Sequence, residues 1–177
     1  MPRENIEVRP AAITEQRPLF RMLELYQYDL SDIWNQELDN NGEYGYALER
    51  YWAAADCYPF IALVNGHYAG FALVDGATKI ASSGYWMDQF FVLKKYRRAS
   101  LGRAIALKVF SALPGYWEVG QMTQNVLAQR FWRSVIAEHC GNYQEHTLTS
   151  GWWQGVVQCF NSELHQSMPS PSVDQCK

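Results

Sequence analysis

The sequence lacks the features that would place a chain of 177 residues in a membrane, a secretory pathway or a nucleic-acid complex. No apolar run approaches the roughly 20 residues that a membrane-spanning helix needs, and the residues after Met1 open onto no signal-peptide core. The net charge is −3, and no Lys/Arg run exceeds the short basic stretch 94–98. These absences predict a cytoplasmic protein with neither a membrane nor a nucleic-acid partner.

The cysteines and histidines are too scattered for a metal or redox site. The four cysteines stand at positions 57, 140, 159 and 176 and form no CxxC pair, and the four histidines form no metal-like pair either. We therefore predict reduced thiols and no bound metal.

The length suits a single folded domain. A chain of about 150 residues buries roughly 70% of its unfolded surface, so a second independent domain is not expected. We predict one domain over residues 1–161 and a flexible Ser/Pro/Gln-rich tail over residues 162–177.

Hydrophobic periodicity predicts an α/β domain in which strands and helices are mixed along the chain. The Asn65-Gly66 dipeptide joins two apolar runs and is typical of a two-residue hairpin. The apolar strand Gly84–Leu93 is expected to lie centrally in the sheet. Predicted strands are Ile6–Arg9, Tyr58–Val64, Tyr68–Val74, Gly84–Leu93, Trp117–Met122, Tyr143–Thr149 and Trp152–Phe160, and predicted helices are Gln16–Ile33, Tyr46–Trp52, Leu101–Leu113 and Asn125–His139.

The most informative segment runs from Met87 to Ala104. A buried strand ends here in a basic turn with small residues and runs directly into a helix. Free backbone N–H groups and the helix dipole converge at such a helix start, which suits a diphosphate. The alternative is a basic loop that only caps an ordinary helix.

Two motifs, one in this segment and one in the helix that begins at Asn125, resemble those of the GNAT superfamily of N-acetyltransferases. The coenzyme signature Gln/Arg-x-x-Gly-x-Gly/Ala is matched by Arg-Arg-Ala-Ser-Leu-Gly at residues 97–102, with Ser100 in place of the first glycine. The helix opened by Asn125 reads Asn-Val-Leu-Ala-Gln-Arg-Phe-Trp, which is similar to the family's Asn-x-x-Ala-x-x-aromatic-Tyr. The resemblance implies a GNAT-type mixed central sheet of about seven strands flanked by about four helices.

The resemblance also implies acetyl-CoA as co-substrate. The strand residues would pair with the pantetheine arm through their backbone, the turn would hold the diphosphate, and Asn125 would bind the arm near its thiol. The implied coenzyme-binding residues are Phe90, Phe91, Val92, Arg97, Arg98, Ala99, Ser100, Leu101, Gly102, Arg103 and Asn125.

Direct transfer requires an amine to lose a proton, and a carboxylate is a common means. Strand alternation places Asp88 on one face with Phe90 and Val92, which makes it the first candidate base, and Glu118 is the second. Either carboxylate could instead be solvated or salt-bridged. Trp132 stands where many members have the tyrosine that protonates the thiolate, and an indole cannot take that role. A water, Tyr85 or His146 could replace it.

The loop from Asp29 to Glu43 is acidic and rich in aromatic side chains. Such a surface favours a cationic amine, although a charged loop can also be simply solvated. We therefore expect transfer of an acetyl group to a primary amine, a small-molecule acceptor, in a ternary complex. The alternative is a non-catalytic acyl-CoA-binding module. Exposed tryptophans near Trp152-Trp153 would suit a homodimer.

Overall fold

The computed structural model describes residues 5–97 and 100–163. Seven strands form one sheet in the order β1-β2-β3-β4-β5-β7-β6, with four helices around it. The strands are β1 Ile6–Pro10, β2 Cys57–Val64, β3 His67–Asp75, β4 Tyr85–Val92, β5 Tyr116–Gln121, β6 Gln144–Leu148 and β7 Gly155–Asn161, and the helices are α1 Gln16–Trp34, α2 Arg50–Ala53, α3 Leu101–Ala112 and α4 Val126–Cys140. The predicted α/β class, the seven-stranded mixed sheet and the four helices are confirmed. All but the first two residues of the predicted tail lie outside the described residues.

The hairpin between β2 and β3 forms as the Asn-Gly dipeptide predicts. Asn65 and Gly66 have φ angles of +51° and +78°, the left-handed conformation that a tight hairpin turn needs. The register pairs Val64 with His67 and runs to Cys57 opposite Asp75. This turn is therefore fixed by local chemistry.

The sheet has a packed core on each face. Helices α3 and α4 cover one face, where Phe110, Trp117 and Ile136 are fully buried, while α1 and α2 cover the other around Leu23, Tyr51 and Phe71. Much of the aromatic content is thus core. None of the described helices has both the length and the apolar composition needed to cross a membrane.

Two predicted element boundaries are wrong. The second helix is a single turn, Arg50–Ala53, and Tyr46 lies before it, directly after Gly45 at φ +74°. The last strand begins at Gly155, so Trp152 and Trp153 lie in the loop before it. Both deviations leave aromatic side chains on loops next to the sheet.

The centre of the sheet is split. Strands β4 and β5 are parallel and pair at Tyr85–Trp117 and Trp86–Glu118, near the start of each strand. Beyond these pairs the described parts of the two strands separate, which leaves the rest of the β4 edge without a neighbouring strand. An open edge of this kind exposes backbone N–H and C=O groups that can pair with an extended ligand.

Candidate active site

A cleft of about 1730 Å³ follows the split between β4 and β5. Residues Trp86 to Val92 of β4 form one wall, and residues 120–125 at the end of β5 form the other. The start of α3 lines the cleft where β4 ends, and the loop residues 152–154 line it beside the start of β4. The cleft is therefore long, with one end at a helix N-terminus.

The N-terminus of α3 opens towards the cleft. Ser100 precedes the helix with φ +59° and ψ +6°, and the first helical hydrogen bond runs from Ala104 N to Ser100 O at 3.0 Å. The three preceding N–H groups, of residues 101–103, have no intrahelical acceptor. Ser100, Gly102 and Arg103 line the cleft, whereas the Leu101 side chain is buried in the core. This end of the cleft suits an anionic group.

The arginine side chains of the predicted diphosphate site are held by carboxylates. Arg97 is hydrogen-bonded to Asp29 of α1, and its Nε also donates to the Val92 carbonyl at 2.8 Å. Arg103 pairs with Glu138 of α4, with Nε 2.6 Å from Oε2. Arg98 and Ala99 lie outside the described residues. Within the described part, backbone N–H groups are thus better placed for an anion than guanidinium groups.

The residues predicted to follow the pantetheine arm all line the cleft, namely Phe90, Phe91, Val92 and Asn125. Phe90 packs against Trp132 of α4 with ring centroids 4.7 Å apart. Asn125 caps α4, because its side-chain oxygen accepts a hydrogen bond from Ala128 N at 3.2 Å. Its side-chain amide group can still donate to a ligand.

Gly102 allows a close approach between elements at this end of the cleft. A Cβ added there would lie 3.3 Å from the Phe131 ring and 3.6 Å from a methyl group of Val92. The glycine therefore lets α3 start close to β4 and α4. This packing role is additional to any effect of its small size on an approaching phosphate.

Asp88 does not share a face with Phe90 and Val92, so the prediction from simple alternation was wrong. Leu73 pairs with Gln89 and Val74 with Met87, which leaves Asp88 as the extra residue of a β-bulge. A bulge shifts the side-chain alternation by one residue. Asp88 consequently points towards α2, although it still lines the cleft.

The Asp88 carboxylate is held by three donors. Its Oδ2 accepts hydrogen bonds from the Tyr46 and Tyr51 hydroxyls, both at 2.5 Å, and from Arg50 at 3.2 Å. Arg50 also pairs with the buried Asp75 at 2.7 Å. Burial, with the Asp88 charge, raises the pKa of Tyr46 to about 12, and the pKa of Tyr51 is raised for the same reasons. Both phenols therefore stay protonated and keep donating to Asp88 at neutral pH.

Glu118, the second candidate base, is fully buried and is not among the residues that line the cleft. Its carboxylate accepts hydrogen bonds from three consecutive backbone N–H groups: Lys79 at 2.5 Å, Ile80 at 3.1 Å and Ala81 at 2.7 Å. The expectation that it reaches the reacting groups is not supported by this geometry. Its contacts are those of a residue that anchors the loop between β3 and β4.

The side chains that could replace the missing tyrosine as the general acid lie away from the cleft. Trp132 itself is 4% exposed and lines the cleft. Tyr85 packs on Trp117 and His146 is exposed on β6, and neither lines the cleft. Ser134, two residues after Trp132, is exposed and does line it.

The acidic segment predicted to cover the acceptor is only partly at the cleft. Asp29, Asp32 and Trp34 belong to α1 and line the cleft. Asp39 instead accepts hydrogen bonds from the backbone of Asn41 and Glu43, so it stabilises its own turn. The acidic surface of the cleft is therefore smaller than the composition of the segment indicates.

Sequence reasoning missed the group around Asp88. Tyr46 and Tyr51 precede Asp88 by 42 and 37 residues, and no short motif connects them. The aromatic residues at positions 46–52 are the signal that the sequence offers, and their spacing predicts a short helix. These three side chains meet because the β-bulge turns Asp88 towards α2 and because Tyr46 lies in the irregular segment before α2.

Comparisons with known proteins agree with this fold. Residues 19–135 match the family model described as the acetyltransferase (GNAT) family. The fold resembles an acetyltransferase from Thermus thermophilus (TM-score 0.65, 12% identity, covering 88% of this chain and 96% of that one). It also resembles the aminoglycoside acetyltransferase AAC(6')-Ib in complex with coenzyme A (0.66, 14%, 90% and 96%) and an acetyltransferase from Salmonella typhimurium with acetyl-CoA (0.61, 12%, 92% and 96%). A search of curated protein sequences gave no match.

Proposed function

We propose that this chain, which belongs to the GNAT family of acetyltransferases, transfers the acetyl group of acetyl-CoA to a primary amine by direct attack in a ternary complex. One observation carries the proposal. The cleft joins a helix N-terminus suited to a diphosphate, a strand edge suited to the pantetheine arm, and a fixed carboxylate. These are the parts that a thioester and an amine need in order to meet.

The coenzyme would lie along the free edge of β4. Its diphosphate would accept hydrogen bonds from the N–H groups at the start of α3, and its pantetheine amides would pair with the backbone of residues 90–92. Asn125 would donate its side-chain amide to the arm. The thioester would then lie between β4 and the start of α4, within the cleft that Asp88 also lines.

Asp88 would accept the proton of the acceptor amine, directly or through a water. All three of its hydrogen bonds reach Oδ2, so we assign the proton transfer to Oδ1. The neutral amine attacks the thioester carbonyl carbon, the C–S bond breaks, and the products are an amide and the coenzyme thiol, with one proton released overall. Because a thiolate is a good leaving group, water can protonate it even though Trp132 cannot.

The test is acetyl-CoA turnover on a panel of primary amines, followed by release of free thiol. Asp88→Asn should lower turnover about a hundredfold or more, since general-base catalysis contributes at least that much, while CoA affinity stays the same. Glu118→Gln is the matched comparison. It should lower the stability of the fold by weakening the anchor of residues 79–81, but turnover of a saturating monoamine per folded molecule should change little.

Two outcomes would contradict this assignment. Near-normal turnover in a folded Asp88→Asn variant would show that the amine arrives already deprotonated. Tight binding of CoA without turnover on any amine would favour a non-catalytic acyl-CoA-binding module.

A further inference from the structure

The ammonium group of Lys79 lies between two tryptophans at the edge of the cleft. Its Nζ is 4.2 Å from the centre of the Trp86 ring and 4.7 Å from that of Trp152. Both indoles line the cleft, yet Trp86 is only 3% exposed while Trp152 is 84% exposed. Two aromatic faces at this distance from one cation form a cation–π site.

The surroundings hold this site in shape. Trp153 packs edge-on against Trp86, with ring centroids 5.2 Å apart and an interplanar angle of 83°. Gly120 provides the room, because an added Cβ would lie 2.2 Å from Trp86 and 2.7 Å from Trp153. Glu118 fixes the backbone of residues 79–81, as described above. The cation site is therefore built by several elements and does not depend on the lysine alone.

The local charge also favours a cation. The carboxylates of Asp75, Asp88 and Glu118 all act on Lys79, and Arg50 is the cation that opposes them. Burial outweighs these carboxylates and lowers the pKa of Lys79, so its ammonium is partly desolvated. Without the Lys79 ammonium, the carboxylates would outnumber the cations in this set of groups.

We propose that Trp86 and Trp152 form a subsite for a second cationic group of the acceptor, and that Lys79 occupies it when no acceptor is bound. This rests on the proposed acetyl transfer for the identity of the acceptor. The subsite predicts that the acceptors are amines with at least two cationic centres. One centre reacts near Asp88, and the other replaces the Lys79 ammonium between the indoles. A monoamine would leave the lysine in place.

The binding test uses the full chain and tetramethylammonium, which cannot donate hydrogen bonds and so reports the aromatic site. Lys79→Met removes the resident cation, and Lys79→Arg is the matched control that keeps one. Tryptophan fluorescence should show at least about tenfold tighter binding to Lys79→Met than to Lys79→Arg. Adding Trp152→Ala to Lys79→Met should abolish the gain, and neutral tert-butyl alcohol should not bind. Lys79→Gln serves if the methionine variant does not fold.

Equal affinity of the methionine and arginine variants, or a gain that survives Trp152→Ala, would overturn the proposal. A second readout uses acetyl-CoA and matched amines. Trp152→Ala should raise KM about tenfold for a diamine and leave KM for the monoamine of equal length unchanged. Equal changes for both amines would also count against the subsite. If no amine releases thiol, acetyl transfer fails as the function, while the fluorescence result still decides the cation site.

Discussion

Ser100 has a backbone conformation that suits glycine. It adopts φ +59° directly before α3, and its side chain makes no capping hydrogen bond to that helix. The left-handed region costs a non-glycine residue roughly 1–2 kcal/mol, and only glycine, asparagine and aspartate visit it readily. The serine at this position of the coenzyme motif therefore introduces local strain.

Ser100→Gly should increase the free energy of unfolding by about 1 kcal/mol, because strain relief exceeds the added flexibility of the unfolded chain. Urea unfolding at neutral pH measures the change. Asn35→Gly is a matched control, since Asn35 has φ +48° at the end of α1 and asparagine tolerates this region. A gain at Asn35 equal to that at Ser100 would show that strain at the serine is not the cause.

At the scale of elements, α1 is tied to the turn that follows β4. Asp29 of α1 pairs with Arg97 and with Lys94, the latter at 3.1 Å. Burial opposes ionisation of Asp29, but the two cations outweigh it and lower its pKa. One carboxylate thus pairs with two basic groups next to the proposed diphosphate site, and Arg97 also donates to the Val92 carbonyl.

Asp29→Asn should strengthen CoA binding several-fold at low ionic strength, because Lys94 and Arg97 become available to phosphate. The gain should fall as salt is added, since exposed charges are screened over about 10 Å at 0.1 M. Calorimetric titration at two salt concentrations measures both effects. Asp32→Asn, one turn further along α1 and also at the cleft, should leave CoA affinity unchanged. Weaker binding by Asp29→Asn would mean that Asp29 instead holds the turn in its binding shape.

Local chemistry decides which elements could be predicted from the sequence. The Asn65-Gly66 turn, the long helix α1 and the start of α4 at Asn125 each follow from residues within a few positions of one another. The bulge at Asp88 does not, because it is a property of the pairing between β4 and β3. Prediction by alternation therefore failed at the one residue whose direction matters most for the proposed chemistry.

At the scale of the whole molecule, the cleft and its surroundings are held by contacts between residues that are distant in sequence. Glu118 reaches backbone groups 37–39 residues away, and Arg97 pairs with Asp29 across 68 residues. The sequence identifies which residues can donate, accept or carry charge, but not which partner each one finds. The proposed coenzyme half of the site, within residues 90–103 and at 125, rests on resemblance to short sequence motifs, whereas the proposed acceptor half depends on contacts that no short motif contains.

An ion pair between residues close in sequence stabilises the first strand of the sheet. Arg9 of β1 pairs with Glu15 at 2.6 Å and 2.9 Å, and Glu15 accepts a further hydrogen bond from Ala12 N at 2.9 Å. Glu15 is only 8% exposed, and its bond with Arg9 is the largest of the interactions that lower its pKa. The pair joins the edge of the sheet to the chain that enters α1.

Glu15→Gln should reduce the free energy of unfolding at pH 7 by about 2 kcal/mol, the usual contribution of hydrogen bonds to a charged group. Folding lowers the pKa of Glu15. Its contribution to stability is therefore complete above the pKa of the unfolded chain, about 4.3, and is lost as the pH falls through the lower pKa of the folded protein. The difference between native and variant proteins in urea unfolding should therefore be constant from pH 7 to about pH 5 and shrink towards zero in more acidic solution. Glu7→Gln provides the control: Glu7 contacts the same Arg9 at 2.8 Å, but its side chain is 53% exposed, so its loss should cost under about 1 kcal/mol. A Glu15→Gln difference that persists at acidic pH would mean that the glutamate stabilises the fold by packing and not by its charge.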